Sequence, residues 1–259
     1  MTAQDALADS RLTDAVALQA TAVRDRPADA AARLFYFELL AVAGRLTEAR
    51  DQLRKIESDD PAWPQTRRRF LWILKAEYAR SHRSRKPALL AKSPLHARYR
   101  CRALRCLKAG ENALAAIWID RADAAAPDVA GHVNGREFDG LRDTDDRYAS
   151  VLEVFIRGEY VWFPFDRLRR ITLAPAVGVL DTAFRPARLR LSDGAEASAT
   201  VPMLYPGSYA ADDEYALGRE ADWPEAPAGL VLGIGAKVWI VGEEELFLHD
   251  CQQIDMVTR

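Results

Sequence analysis

Asp139, Asp143, Asp145 and Asp146 put four carboxylates into eight residues. Carboxylates so close together could ligate a divalent cation or relay a proton. A calcium loop counted from Asp143 needs glycine at its sixth position and glutamate at its twelfth, and Tyr148 and Val154 stand there instead. Arg142 and Arg147 flank the cluster, so salt bridges and turn caps are the expected use of these acids. Other chemistries fail on spacing. No H-E-x-x-H, G-x-S-x-G or Gly-Lys-Ser/Thr sequence occurs. Gly233-Ile234-Gly235 is followed by Val238 where a dinucleotide fingerprint needs a third glycine, which predicts a turn or bulge. Cys101 and Cys106 are five apart, about 140° around a helix, and His82, His96, His132 and His249 form no i, i+4 pair. Structural zinc needs four converging ligands, so buried cysteines are expected instead. The residues predict no catalytic group, no metal and no cofactor.

The elements that would carry these residues fall into two textures. The first 130 residues are rich in Ala, Leu and Arg, a helix-forming composition. Pro27, Pro61, Pro94 and Pro127 recur at intervals of 34, 33 and 33 residues. Ser10, Gly44 and Gly110 each precede one of these prolines by 17 residues, and Ala15, Ala49 and Ala115 follow five residues later. A period near 34 with this punctuation predicts tetratricopeptide-like helix pairs: a tight turn, a close helix contact and a stop. The third unit has Glu77 and His82 at the small positions and is expected to be degenerate. After Pro127, apolar runs at 151–156, 160–165, 170–173, 187–191, 199–204, 237–241 and 246–249 alternate with Gly and Pro turns. Gly131, Gly135 and Gly140 suggest a loop around the acidic cluster. The expected fold is α+β: a helical-repeat domain over residues 1–130, then a β-rich domain over 131–259, an antiparallel sheet or a small barrel.

Charge is divided as sharply as structure. A net charge of −2 conceals a stretch from Pro61 to Gly110 with fourteen Lys and Arg against one acid. The last sixty residues carry eleven acids and three bases. Such polarity suits docking onto a charged partner. The basic stretch includes Arg67-Arg68-Arg69-Phe70-Leu71-Trp72-Ile73-Leu74, then Arg80, Arg83, Arg85 and Lys86. Its interleaved aromatics could serve nucleic acid or an anionic membrane surface. An amphipathic repeat helix explains them more simply, with Phe70, Ile73, Leu74 and Tyr78 inward and the arginines solvated. A composition of 49% hydrophobic and 29% charged residues is that of a soluble globular chain. It has no apolar run long enough to span a membrane, no signal peptide and too few cysteines for a disulfide framework, so the expected location is cytoplasmic.

The β-rich part can also be read as a string of words. These are Asp143-Thr144-Asp145-Asp146-Arg147, Leu152-Glu153-Val154, Gly158-Glu159-Tyr160-Val161-Trp162-Phe163-Pro164-Phe165, Arg185-Pro186-Ala187-Arg188 and Tyr205-Pro206-Gly207-Ser208. Leu217-Gly218-Arg219-Glu220-Ala221-Asp222-Trp223 closes the set. Together they resemble the ImpE family, also called TagJ or SciE-type, accessory proteins of bacterial type VI secretion. Ala221 and Gly218 depart from the threonine and alanine usual in that family. The resemblance implies a non-enzymatic adaptor that binds the N-terminal helix of the small contractile-sheath subunit and assists the AAA+ ATPase that recycles sheath. Candidate contacts are Arg67, Arg68, Arg69 and Trp72 from the basic stretch, and Tyr160, Trp162, Arg219, Asp222 and Trp223 from the motifs. Buried aromatics and paired arginines are as readily fold determinants. The competing expectation is a metal- or phosphate-dependent enzyme in which the acidic loop 139–147 converges with Arg219 and Asp222. Carboxylates tied up by Arg142 and Arg147 would favour the adaptor.

Overall fold

The computed structural model describes residues 1–82 and 85–258, so Arg83 of the basic stretch lies outside the described residues. The chain begins with α1 (Ala3–Ala8), α2 (Leu12–Asp25), α3 (Ala30–Val42) and α4 (Leu46–Arg54). It continues with α5 (Trp63–Ser81), α6 (Leu95–Ala109) and α7 (Asn112–Ala125). The repeat punctuation lands where the period places it. Ser10, Gly44 and Gly110 sit in the turns α1–α2, α3–α4 and α6–α7, all with positive φ (58°, 70° and 81°). Ala15, Ala49 and Ala115 are fully buried, which lets paired helices approach closely. The third unit is the degenerate one. Glu77 cannot take a left-handed turn cheaply, so α5 runs unbroken for 19 residues through the position where a turn would fall. A two-residue strand, β1 (Ala88–Leu89), then follows, and nothing in the sequence had indicated a strand there.

The strands after α7 are β2 (Val129–Val133), β3 (Arg136–Asp139), β4 (Leu141–Asp143), β5 (Val151–Ile156) and β6 (Glu159–Pro164). Next come β7 (Leu168–Leu173), the short helix α8 (Leu180–Ala183), β8 (Phe184–Leu191) and β9 (Glu196–Pro202). The short helix α9 (Asp213–Ala216) precedes β10 (Ala221–Asp222), β11 (Ile234–Gly235), β12 (Val238–Val241), β13 (Glu244–Phe247) and β14 (Gln253–Thr258). Among the described residues nine strands form one mixed sheet in the order β1-β6-β5-β9-β8-β7-β14-β2-β3, with β1 parallel to β6 and the other pairs antiparallel. A three-stranded sheet, β13-β12-β4, lies apart from it. Of the two forms expected, the sheet is the one adopted, with β1 and β3 as its edges. The expected acidic loop is partly strand: β2 and β3 form a hairpin closed by Asn134-Gly135, both at positive φ, β4 follows, and residues 144–150 stay in bends and turns. These strands are short, charged and interrupted by glycine, so they carry little alternation to read.

Strand β5 shows how the layers meet. Val151 and Phe155 join the core shared with Phe37, Phe70 and Leu74 of the helices, while Leu152 and Val154 join a second core with Trp239 and Leu248. Covered on both faces, β5 is apolar nearly throughout. The helices share their core with the sheet, and further ties join the two parts at their ends. Asp213 accepts from Thr13 N (3.0 Å) and Thr13 Oγ1 (3.1 Å) at the start of α2, and Tyr209 lies against the α3–α4 turn.

Gly44 and Gly110 make a direct test of that packing. A Cβ on Gly110 meets open space, whereas one on Gly44 would stand 2.4 Å from the Tyr209 ring. Gly110→Ala should lose about 1 kcal/mol, the cost of positive φ alone. Gly44→Ala should lose about 1–3 kcal/mol more, from the clash. Urea unfolding of both variants checks the difference, and equal losses would contradict this account.

Candidate functional site

Two features stand out: a buried ion network between the helices and the sheet, and an open groove beside it. The network centres on Glu153 in the middle of β5. Arg80 of α5 donates from Nε and Nη2 to its two oxygens, both at 2.8 Å, and Lys237 Nζ lies 2.7 Å from Oε2. All three side chains are buried. Arg80 also donates to Leu204 O and pairs with Glu77, while Lys237 sits 4.1 Å from the centre of the Tyr148 ring. Burial pushes the Glu153 pKa upward, but Arg80 and Lys237 outweigh it and hold the carboxyl at about 2. Glu77 moves the other way, raised by its own burial and by the charge of Glu153 against the pull of Arg80. Tyr160 donates from its hydroxyl to Glu153 Oε1 (2.9 Å), and Trp162 Nε1 donates to that hydroxyl (2.7 Å). Tyr160 and Trp162 are therefore corrected from candidate contacts to core residues. Tyr160 points inward to serve the Glu153 carboxylate, and Trp162 in turn serves the Tyr160 hydroxyl.

The acidic cluster is tied up in the same interior. Asp143 accepts from the Tyr205 hydroxyl (2.8 Å) and Trp239 Nε1 (3.2 Å) and lies 3.6 Å from Lys237 Nζ. Burial raises its pKa to about 6, against the attraction of Lys237. Asp145 accepts from Arg147 N, Arg147 Nε and Gly233 N. Asp146 accepts from Val231 N (2.7 Å) and Arg142 Nη2 (3.1 Å). Gly233 is glycine because a Cβ there would stand 2.4 Å from the Tyr205 ring, so the G-x-G serves close packing. Arg219 does not join the loop. Its guanidinium donates to Leu7 O, Ala8 O and Ser10 Oγ, capping the end of α1. Asp222, exposed on β10, accepts from Trp223 N, and Trp223 is half-buried. Among the described residues no hydrogen bond or ion pair joins Arg219 or Asp222 to loop 139–147. Among the described residues no three His, Cys, Asp or Glu side chains gather as a metal site.

One constellation escaped the sequence reading. His96 of α6 places Nδ1 2.8 Å from Ser150 Oγ and Nε2 3.0 Å from Asp166 Oδ1, beside a cavity of about 390 Å³. Arg100 Nε donates to the same Ser150 Oγ (2.7 Å), and its guanidinium reaches Asp146 O and Asp123. Ser150 Oγ thus lies between the imidazole and the guanidinium, and accepts from Arg100. The buried set joins α6 to the start of β5. The residues come from positions 96, 100, 150 and 166, so no sequence window contains them.

The groove lies where α5 crosses the sheet and measures about 690 Å³. Arg68, Arg69 and Trp72 of α5 line it, with Arg157 of the β5–β6 turn and Arg188 of β8. Phe70, Ile73 and Leu74 face inward as expected, but Tyr78 is 56% exposed and Arg80 takes the inward position instead. The inward stripe continues through Glu77 and Arg80, which Glu153 requires. Arg67 is half-buried, whereas Arg68 and Arg69 are exposed. Trp72 packs over the turn at Gly158. Beside this region Glu38 of α3, close to Gly178, has its pKa raised to about 7 by burial and by Asp181, against Arg69.

A helical-repeat segment sharing its core with a large mixed sheet, and held to it by buried ions, defines a class of scaffold. Comparison places this chain within that class: it belongs to the ImpE family. The profile described as ImpE protein matches residues 135–255, and a tetratricopeptide repeat profile matches residues 6–67. The type VI secretion system accessory component TagJ of Pseudomonas aeruginosa is 30% identical, across 98% of this chain and 91% of that protein. The crystal structure of protein VPA1032 from Vibrio parahaemolyticus shares the fold, with a TM-score of 0.91 at 24% identity over 99% of this chain and 98% of that one.

Two carboxylates give opposite pH signatures. Glu153→Gln should lose about 3–5 kcal/mol at pH 7, because two buried cations lose their counter-charge. Since the folded pKa is depressed, this contribution is present above pH 4.5 and lost toward pH 2. The gap between parent and variant should therefore close as pH falls through that window. Glu38 has a raised folded pKa, so its ionisation subtracts stability as pH rises from 4.5 to about 7. Glu38→Gln should match the parent below pH 4.5 and exceed it by about 1–3 kcal/mol above pH 7. Denaturant unfolding across pH 2.5–8 reads both.

Proposed function

We propose that this protein is a cytoplasmic, non-enzymatic accessory adaptor of a bacterial type VI secretion system. It holds the N-terminal helix of the small sheath subunit and assists the AAA+ ATPase that recycles contracted sheath. The observation that carries this reading is the similarity to TagJ, which runs through the helical repeats as well as the β-rich part. The charge polarity supports a protein partner, since the basic stretch offers a long-range field to an acidic segment. Among the residues named from the sequence, Arg67, Arg68, Arg69 and Trp72 remain contact candidates on α5. Asp222 and Trp223 remain candidates beside β10. The helical part, residues 1–130, and the β-rich part, residues 131–259, act in this reading as one rigid body. Neither nucleic acid nor membrane insertion enters it. Among the described residues no helix is long and apolar enough to cross a membrane.

Co-purification from cells carrying a secretion cluster, at moderate salt, should retain the small sheath subunit. Retention of neither that subunit nor the ATPase would remove the reading. Kinetics supply a sharper expectation. Replacing Arg67, Arg68 and Arg69 with glutamine should slow association with the sheath-subunit helix at low salt and leave dissociation nearly unchanged, because solvated ion pairs steer encounter more than they hold. At 1 M salt, where the Debye length is about 3 Å, parent and variant should associate at the same rate. Stopped-flow measurement with a synthetic helix checks this. Unchanged association with much faster dissociation would assign the arginines short-range contacts.

A further inference from the structure

We infer that the groove between α5 and the sheet receives an amphipathic helix of a partner protein, with acidic residues flanking an apolar stripe. The inference deepens the adaptor reading and relies on it only for the partner's identity; the occupant's chemistry rests on the groove. Helix-binding sites are usually sought in the concave face of a helical repeat. Here the pronounced groove lies instead at the junction of repeat and sheet.

Three observations select the occupant. The first is charge. Arg68 and Arg69 come from α5, Arg157 from the β5–β6 turn and Arg188 from β8, so positive charge stands on several walls. Among the described residues no acidic side chain lines the groove, and none of these four guanidiniums forms an ion pair. Glu38 lies near Arg69, but like charges gathered without an ion pair repel one another, and an acidic occupant relieves that repulsion. The second is the floor. Pro186, Ser198 and Thr200, with Phe155 beside them, present small or flat side chains on one face of β5, β9 and β8. Helix α5 covers that face over β5 and β6, and a second helix can lie beside it with its apolar stripe toward the half-buried Trp72 and Pro186. The third is backbone hydrogen bonding. The floor is the face of interior strands already paired on both sides, with no free strand edge. An extended peptide would leave its backbone polar groups unsatisfied against side chains, whereas a helix satisfies its own.

The test uses full-length protein and a fluorescein-labelled synthetic helix with glutamates on both sides of a leucine stripe, read by anisotropy. Arg157→Glu with Arg188→Glu, and separately the neutral groove-filling Ser198→Trp, should each weaken binding at least tenfold. Arg102→Glu with Arg105→Glu on α6 makes the same charge change off the groove and should keep parental affinity. All these positions are exposed, so circular dichroism and Tm should match the parent. Absent binding by the parent, or equal losses in the α6 control, overturns the inference. So does tighter binding of an unstructured RNA oligomer with the same arginine dependence. The sheath-subunit helix, titrated in parallel, separates the two claims. If it binds parent and groove variants alike, the groove assignment fails and the adaptor stands. If it fails to bind while the acidic helix shows the groove dependence, the adaptor partner is wrong and the groove stands.

Discussion

A carboxylate in the middle of a strand covered on both faces has no access to water, so Glu153 must be met by cations from elsewhere in the chain. Arg80 reaches it from the last turns of α5 and Lys237 from the segment before β12. Taking three charges out of water is expensive, and the arrangement persists because the remaining donors and acceptors are also satisfied. Arg80 spends one donor on Leu204 O, and Tyr160 and Trp162 complete the shell on the sheet side. A displaced α5 would leave a buried, uncompensated charge. The helix is thereby located against β5 and β6, and with it one wall of the groove.

Ties at the periphery repeat this logic at lower cost. Arg219 caps α1, Asp213 caps α2, and His96 with Arg100 joins α6 to the start of β5. Each uses a polar side chain from one part to satisfy backbone or hydroxyl groups of the other. With the shared apolar core, they hold repeat and sheet in one relative position. A groove with walls from both parts keeps its shape only on that condition, which suits an adaptor that must present a fixed surface. The carboxylates of the acidic loop are consumed in the same construction. Asp143, Asp145 and Asp146 each answer to a cation and to further donors, which turns a cluster that looked reactive into a joint.

Much of the helical half is legible in the sequence. Period, turn residue and small contact residue are local, and Ser10, Gly44 and Gly110 do their work within a few bonds of themselves. The seven apolar runs of the β half likewise mark seven strands to within a few residues. Strands β2, β3 and β4 escaped because they are short, polar and glycine-bearing, although Asn134-Gly135 was a hairpin signal. The network also left traces: Glu153 interrupts an apolar run, and Glu77 and Arg80 occupy the inward stripe of α5. Such violations of pattern mark buried charge without naming its partners.

The sequence by itself thus determined the helix pairs, most strands, the family and the basic character of α5, because propensity, periodicity and turn chemistry act over a few residues. Tertiary structure alone decided that Tyr160 and Trp162 are interior, that Arg219 caps a helix some two hundred residues away, and that Tyr78 faces out while Arg80 faces in. It alone gathered Arg68, Arg69, Arg157 and Arg188 around one groove. Those outcomes depend on which distant groups meet when the chain closes, and on the cost of leaving any buried charge unanswered. No spacing along the chain encodes that cost.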